Sequence, residues 1–484
     1  MTLQPNRPIR VNQLAPTLKP SPQRAPQSFL HPFSPRSDHK DERKKGKIGF
    51  YRNSYTNMVK EITCSAPVNI AVIKYWGKRD KKLILPTNSS LSVTLDQHDL
   101  RSTTTARLLD PSPKNGEVGE EEEDQLWLNG ARQPIEKDSR LSNCLKELRK
   151  LKAHFELQQP KTEASLPESR RALLIASENN FPTAAGLASS ASGFAALVYT
   201  ISKLYELPIE MTELSKIARQ GSGSACRSIF GGFVSWEMGA ASDGSDSMAV
   251  SVAERSDWPD LEALICVVSD RKKGTSSTSG MDGSVQTSEL LQHRIEKVVP
   301  ERMKRMKSAI KQKDFDSFAA LTMADSNQFH AVCLDTQPPI FYLNDVSRSI
   351  IAVIEELNRA SKAEGDGCLA AYTFDAGPNA VIYAPKRNMR KLLNLILHYF
   401  PLPDSDPFTD PKAYFDLSKE TPGQLALPIH FNHNISPVWK QGSISRLIHT
   451  QVGDGPQVLN NQLGQGLLTV DGLVKSLKNP TNGH

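Results

Sequence analysis

Along residues 59–475 the apolar pattern switches between a period of two and a period near 3.6, without settling into strict strand–helix alternation. The strict βαβ alternation of a parallel sheet is therefore absent. What remains is a layered α+β fold, read here as two lobes spanning 58–255 and 256–476. Glu61 to Tyr75 reads as strand, interrupted once by Pro67. Residues 89–95 alternate polar and apolar, the pattern of a half-buried strand. Further strands are expected at 126–130, 171–177, 261–268, 369–374 and 380–383, the last two bracketing a tight turn. Leu141, Leu145, Leu148, Leu151 and Phe155 form one helical stripe. Gly186 to Tyr205 reads as a buried helix, and 299–312, 315–329 and 345–360 as further helices. No internal repeat is present.

The charge distribution limits the partners. The chain of 484 residues carries a formal +6. Residues 1–57 hold 11 Lys and Arg against 3 Asp and Glu, a surplus of 8, so the other 427 residues stand near −2. A near-neutral body without interleaved basic and aromatic residues is a poor nucleic-acid binder. No stretch of about 20 apolar residues suggests a membrane span. Six scattered cysteines, with no C-x-x-C pair, read as reduced buried residues of a cytoplasmic protein. Residues 1–57 read as a disordered, basic, proline-rich leader, and 477–484 as a tail. Residues 1–37 lack acids and faintly resemble an organelle transit peptide, but eight prolines in 1–57 oppose the amphipathic helix such a signal needs. An over-extended start before Met58 is the other reading.

Four segments carry chemistry. Pro182-Thr-Ala-Ala-Gly186-Leu187-Ala188-Ser189-Ser190-Ala-Ser192-Gly193 lies between a strand and an apolar helix. Gly186 allows close backbone approach, the helix start offers unpaired N–H groups and a positive dipole end, and Ser189 and Ser190 add hydroxyls for phosphate or phosphate-bound Mg²⁺. A packed, serine-capped helix start would read the same way. Neither a P-loop nor a Rossmann glycine pattern occurs. In the second segment Lys74, Lys78 and Arg79 surround Gly77, a cation cluster suited to polyphosphate, or else a solvated turn. In the third, Gly221-Ser222-Gly223-Ser224-Ala225-Cys226-Arg227, two glycines permit an anion nest and Arg227 can grip a carboxylate or phosphate with two bonds; a flexible linker is the plainer reading. In the fourth, Asp375 sits beside Gly377-Pro378 between two apolar strands, where aspartate is usually just a turn residue.

The first segment resembles the phosphate loop of the GHMP kinase superfamily. With Asn179-Asn-Phe-Pro-Thr-Ala-Ala-Gly-Leu-Ala-Ser-Ser as it stands here, it is similar to the diphosphomevalonate decarboxylase family within that group. The other three segments match the same family, and the likeness runs from about Thr63 to about Lys475. The leader and the loops near 110–125, 158–170 and 401–424 depart from it, which bears on localisation and leaves the chemistry untouched. The resemblance implies a two-lobed GHMP kinase fold, with an N-terminal lobe like ribosomal protein S5 domain 2 and a ferredoxin-like C-terminal lobe. It implies ATP and Mg²⁺, a homodimer, and ATP-dependent decarboxylation of (R)-5-diphosphomevalonate to isopentenyl diphosphate in the mevalonate route to isoprenoids and sterols.

It also implies residues. Asp375, Arg227, Lys74 and Ser190 take catalytic positions, with Asp375 facing the tertiary hydroxyl and Arg227 the carboxylate. Tyr75, Trp76, Gly77, Lys78, Arg140, Ser222, Gly223, Ser224, Ala225, Cys226, Arg227 and Thr278 take substrate positions. Asn69, Gly186, Leu187, Ala188, Ser189 and Ser190 take nucleotide positions, Ser190 also reaching ATP-bound Mg²⁺. Ser269 and Lys272 lie beside Thr278, and Met323 to His330 fall on a helix near the site, His330 as a structural residue. His430 and His433 lack zinc-ligand spacing. A kinase that stops at the phosphorylated product, a decarboxylase of the monophosphate, a non-catalytic binding protein and an RNA-binding protein are the competing readings.

Overall fold

The computed structural model describes residues 59–109, 123–159, 166–181, 189–269, 274–403 and 427–475. The leader, the tail, most of the three expected loops, and Gly186, Leu187, Ala188 and Lys272 lie outside the described residues.

Three sheets carry the architecture. The first orders its strands Gln457–Asn460, Glu61–Pro67, Arg101–Leu108, Leu173–Asn179, Gln125–Leu128, Ala131–Gln133. All its pairings are antiparallel except Gln125–Leu128 against Leu173–Asn179. Pro67 has no N–H for a continuing ladder, so the chain leaves this sheet there and Asn69–Ile73 joins the second. That sheet runs Ala249–Ala253, Phe233–Trp236, Ser90–Thr94, Asn69–Ile73. The third runs Ala371–Phe374, Ala380–Pro385, Leu261–Val267, Arg446–Gln451, all antiparallel. Numbered by chain order its strands lie 2-3-1-4, the ferredoxin-like arrangement.

Alternation misleads at Ser90–Thr94: all five residues are buried instead of half. Leu91 and Val93 enter the core, while Ser90 and Ser92 face a buried arginine instead of water. The helix Arg140–Leu157 also departs from the expected stripe. Leu151 is 38% exposed, and Lys152 is buried in its stead, bonding the Tyr205 carbonyl (3.1 Å) and Glu168 (2.7 Å). The helix Ser189–Leu204 is buried almost throughout, its small residues Ala191, Ala195 and Ala196 allowing close packing in the core under the first sheet. A second core joins the second and third sheets, from Val68 and Phe233 to Tyr372 and Leu447. The helices Met211–Gly221, Ser277–Thr287 and Lys386–Tyr399 add to those expected; the first and last carry a clear apolar stripe, Leu214 to Ala218 and Met389 to Tyr399, and only Ser277–Thr287 lacks one. All six cysteines are buried thiols.

Caps place the reactive turn. At the start of the helix Asp345–Ala363, Asn344 accepts from the Ser347 N–H (2.9 Å) in a capping box. Ser347 then donates its hydroxyl to the Pro378 carbonyl (2.8 Å), tying the helix to the turn that carries Asp375. Asn379 holds the other side, accepting from the N–H groups of Val268 (2.8 Å) and Ser269 (2.9 Å).

Candidate active site

A cleft of about 420 Å³ opens where these elements converge. The residue after the strand Asn69–Ile73 supplies Lys74, followed by Tyr75 and Trp76. The turn after Ala371–Phe374 supplies Asp375. The helix Ser189–Leu204 presents its N-terminus through Ser189 and Ser190. The 3₁₀ turn Gly223–Ile229 supplies Gly223, Ser224 and Arg227, and Ser222 precedes it. Residues 301 positions apart meet here: the Lys74 ammonium donates to Asp375 Oδ1 at 2.6 Å.

The electrostatics are those of an anion site. Lys74, Lys78, Arg140 and Arg227 face Asp375 as the one carboxylate among the lining residues, so four cations less one anion leave three positive charges. Arg227 is 2% exposed. Its Nε donates to Ser92 (3.0 Å) and Asn69 (3.3 Å), its Nη1 to Ser90 (2.6 Å), and its Cζ lies 5.8 Å from the Trp236 ring centre. No carboxylate of a described residue pairs with it, and two neutral hydroxyls and an amide oxygen leave a buried charge that an anionic ligand would balance. Burial pushes its pKa down. Burial likewise pushes the Lys74 amine down, with the Asp375 carboxylate opposing. Lys78 is lowered by burial and then by the Arg140 charge. Arg140 stands at a helix N-terminus, where the macrodipole disfavours a cation. It instead reaches across to Thr278 (3.3 Å), the second residue of the helix Ser277–Thr287.

The sequence-derived residues divide. Asn69, Lys74, Tyr75, Trp76, Lys78, Arg140, Ser189, Ser190, Ser222, Gly223, Ser224, Arg227, Thr278 and Asp375 all line the cleft. Ala225 and Cys226 do not: both are fully buried, and Cys226 Sγ contacts the Gly223 carbonyl (3.0 Å). They pack beneath the turn and shape it. Gly77 does not line the cleft either. Its φ of +96° and the 2.7 Å from a virtual Cβ to Thr87 Oγ1 make it a turn requirement. Asn69 spends its amide on protein partners, donating to Ser228 (2.7 Å) and the Ser224 carbonyl (3.1 Å). Arg79 turns away from the cation cluster to the carbonyls of Met238 (3.1 Å) and Ala241 (3.2 Å). The Trp76 indole N–H is taken by Ser284 (2.8 Å), so only its ring faces the cleft. The Tyr75 hydroxyl is buried and has no partner among the described residues.

Sequence reasoning missed Met281 in the lining and gave no role to Ser276 and Ser277 beside Thr278, while Phe329 falls within the stretch Met323 to His330 expected near the site. It also missed Ser90 and Ser92, whose every-second-residue spacing in a strand was the available signal. His330 lies outside the lining, against Phe329, Tyr342 and Phe374. Burial, then the Lys74 charge, push its imidazole down to about 4, so it is neutral. A second cavity of about 530 Å³ shares Arg140, Ser189 and Ser190 with the cleft and is walled by apolar residues including Leu126, Phe194 and Leu197. No cluster of three His, Cys, Asp or Glu suited to a metal ion occurs among the described residues. None of the described helices is long and apolar enough to cross a membrane.

Known proteins of similar sequence and fold share this arrangement's framework. A family model described as the diphosphomevalonate decarboxylase-like N-terminal domain matches residues 66–249, and one for the mevalonate 5-diphosphate decarboxylase C-terminal domain matches 263–459. The diphosphomevalonate decarboxylase of Ganoderma lucidum is 56% identical over 418 residues, covering 86% of this chain and 100% of that protein. A crystal structure of mevalonate 5-diphosphate decarboxylase superposes with a TM-score of 0.70 at 50% identity, covering 84% of this chain and 100% of that one. A solved complex of MDDEF with MVAPP, AMPPCP and magnesium gives a TM-score of 0.60 at 28% identity, covering 83% and 100%.

Proposed function

This chain belongs to the diphosphomevalonate decarboxylase family, and from that premise we propose that its cleft binds mevalonate 5-diphosphate beside ATP and drives phosphorylation, dephosphorylation and decarboxylation at one carbon. The observation that carries the reading is the presence of Asp375, Arg227 and Ser190 on one cleft with three net positive charges. The substrate brings a carboxylate and a diphosphate, and the arrangement suits both.

The C3 hydroxyl loses its proton and takes the γ-phosphoryl group of ATP. The C3–O bond then breaks as inorganic phosphate leaves with the electron pair. The C1–C2 bond gives its electrons to a new C2–C3 double bond, and the carboxylate departs as CO₂. Asp375 orients the hydroxyl and receives its proton in concert with phosphoryl transfer, since an ordinary carboxylate is too weak a base to ionise an alcohol beforehand. Positive charge then develops at C3, which the same carboxylate stabilises. Lys74, 2.6 Å away, donates to Asp375 Oδ1 and holds the side chain aimed. Arg227, locked by Ser90, Ser92 and Asn69, keeps the substrate carboxylate in line for cleavage. Lys78, Arg140, Ser222 and the backbone of Gly223 to Ser224 take the diphosphate, and the Tyr75 hydroxyl is free to donate to it.

ATP would seat its phosphates at the start of the helix Ser189–Leu204, whose dipole favours anions, with its base in the neighbouring apolar cavity. The hydroxyls of Ser189 and Ser190 suit phosphate oxygens and an Mg²⁺ held mainly by the nucleotide. When bound, the ion would neutralise the β- and γ-phosphates. A homodimer in the cytoplasm completes the proposal, tested by light scattering and cell fractionation. The decisive assay is release of labelled CO₂ from carboxyl-labelled substrate with ATP and Mg²⁺. ADP without CO₂ would make the protein a kinase.

A further inference from the structure

Lys74 owes its place to two buried ionic residues outside the cleft. Asp325, on the helix Phe315–Asp335, accepts the Lys74 backbone N–H at 2.8 Å. Arg294 donates through Nη2 to the Lys74 carbonyl at 3.1 Å, an oxygen that also accepts from the Asn88 amide at 3.0 Å. The same two side chains form a forked ion pair, 2.7 and 3.0 Å, with both side chains wholly buried. The Lys74 peptide groups are thus gripped from both sides. The next helical residue, Ser326, accepts the Phe374 N–H at 3.0 Å, so a single turn of helix holds the backbone of Lys74 and the backbone just before Asp375.

Arg294 opens a π-helical turn, Arg294–Val298, between the helices Glu289–His293 and Val299–Gln312. Pro300 has no N–H to give the Glu296 carbonyl, and a widened turn accommodates that loss. A buried ion pair is a poor stabiliser, because desolvation offsets its attraction. Its value here is direction: two charged groups with fixed partners immobilise one backbone segment. We propose that the Arg294–Asp325 pair is a positioning device for catalysis, fixing the Lys74 backbone so that its ammonium meets Asp375 without either member of the pair touching substrate. The proposal rests on the reading of Lys74 and Asp375 as the reacting pair.

Arg302 provides the control. It also bonds Asp325 (3.0 Å), yet it makes no contact with Lys74. In the full-length protein, Arg294→Gln is expected to lower kcat by about 10- to 100-fold, with KM for both substrates within about threefold, as befits lost alignment. Arg302→Gln is expected to keep kcat within about twofold even where its Tm falls as far. A kcat for Arg294→Gln within about twofold of the parent, or parallel losses of kcat and Tm in both variants, overturns the proposal. Should Arg294→Gln fail to fold, Arg294→Lys keeps the charge on Asp325 but cannot fork to the Lys74 carbonyl. It should lose about fivefold or more in kcat at near-parental Tm, and unchanged kcat overturns the proposal. Asp375→Asn, measured alongside, separates the two claims. If that variant keeps its rate, the reacting pair is misassigned. If it is inactive while the Arg294 variants are normal, only the positioning claim falls.

Discussion

Replacing Asp375 with Asn keeps the shape of the side chain and removes one negative charge from the cleft. Two consequences follow from the geometry. The first is catalytic. A carboxylate about 4 Å from the positive charge developing at C3, at an effective dielectric of about 20, contributes roughly 4 kcal/mol. That corresponds to about a thousandfold in rate. The second is structural. Lys74 is 2% exposed and its ammonium lies 2.6 Å from the carboxylate, so the variant leaves a buried cation facing a neutral amide. Breaking a fully buried pair costs about 3–5 kcal/mol. The Asp375 side chain is 32% exposed, and water there reduces the cost to about 1–2 kcal/mol. The expected result is a kcat down about a thousandfold, with ADP and CO₂ falling together. Calorimetric Kd for the diphosphate substrate should stay within about threefold, because the diphosphate ligands are untouched. Tm should drop by a few degrees. Turnover within about tenfold of the parent would refute the electrostatic argument. ADP release persisting without CO₂ would confine Asp375 to the later steps.

Arg227→Lys should lose two or more charge-assisted hydrogen bonds at about 1.5–3 kcal/mol each, lowering kcat/KM by at least about a hundredfold while near-ultraviolet circular dichroism stays native; equal activity would show that the forked geometry is unimportant. Ser92→Ala should weaken the hold on the Arg227 Nε and lower kcat/KM by about 3- to 30-fold, measured in the CO₂ assay, with little change in the KM for ATP. His330 gives a pH signature. The unfolded chain binds its proton near about 6.5 and the folded protein only near about 4, so stability is full above the first value and is lost as pH falls towards the second, by about 3 kcal/mol in all. Urea unfolding from pH 7 to 4 should show a shallower loss in His330→Gln, and identical slopes would remove His330 from the account. Gly223→Ala would press a Cβ to 2.9 Å from Trp236 and 3.0 Å from Tyr75, destabilising by about 1–3 kcal/mol in thermal unfolding.

What could be read from the chain followed the locality of the signal. The strand broken at Pro67, the buried helix expected over Gly186 to Tyr205 and the turn at Asp375 are each encoded locally, and the structure builds the two strands, the turn and, among the described residues, the helix over Ser189–Leu204. The four chemical segments were visible because glycine, serine and cations cluster in them. Their meeting was not visible: Lys74 and Asp375 are 301 positions apart, and only tertiary packing joins them. Ser90 and Ser92 were misread because a hydroxyl facing a buried guanidinium and one facing water give the same alternation. Arg79 shows the reverse error, since a charge inside a cationic run can still point at loop carbonyls. Arg294 carried no signal at all. A lone arginine in a charged helical stretch looks solvated, yet here it is fully buried.

The strand Glu61–Pro67 lies between Arg101–Leu108 and Gln457–Asn460, its outer neighbour coming from nearly the other end of the body. During synthesis that outer rim has no native mate until roughly 390 more residues emerge, about 20–80 s at ordinary elongation speeds. An unmated rim is a template for wrong association between nascent chains. Arg107 and Glu61, paired at 2.6 Å, also wait for the segment around Gly464 and Val470 that completes their bonding. Faster emergence of the C-terminal segment, or a chaperone covering that rim, should therefore raise the yield of folded protein on expression.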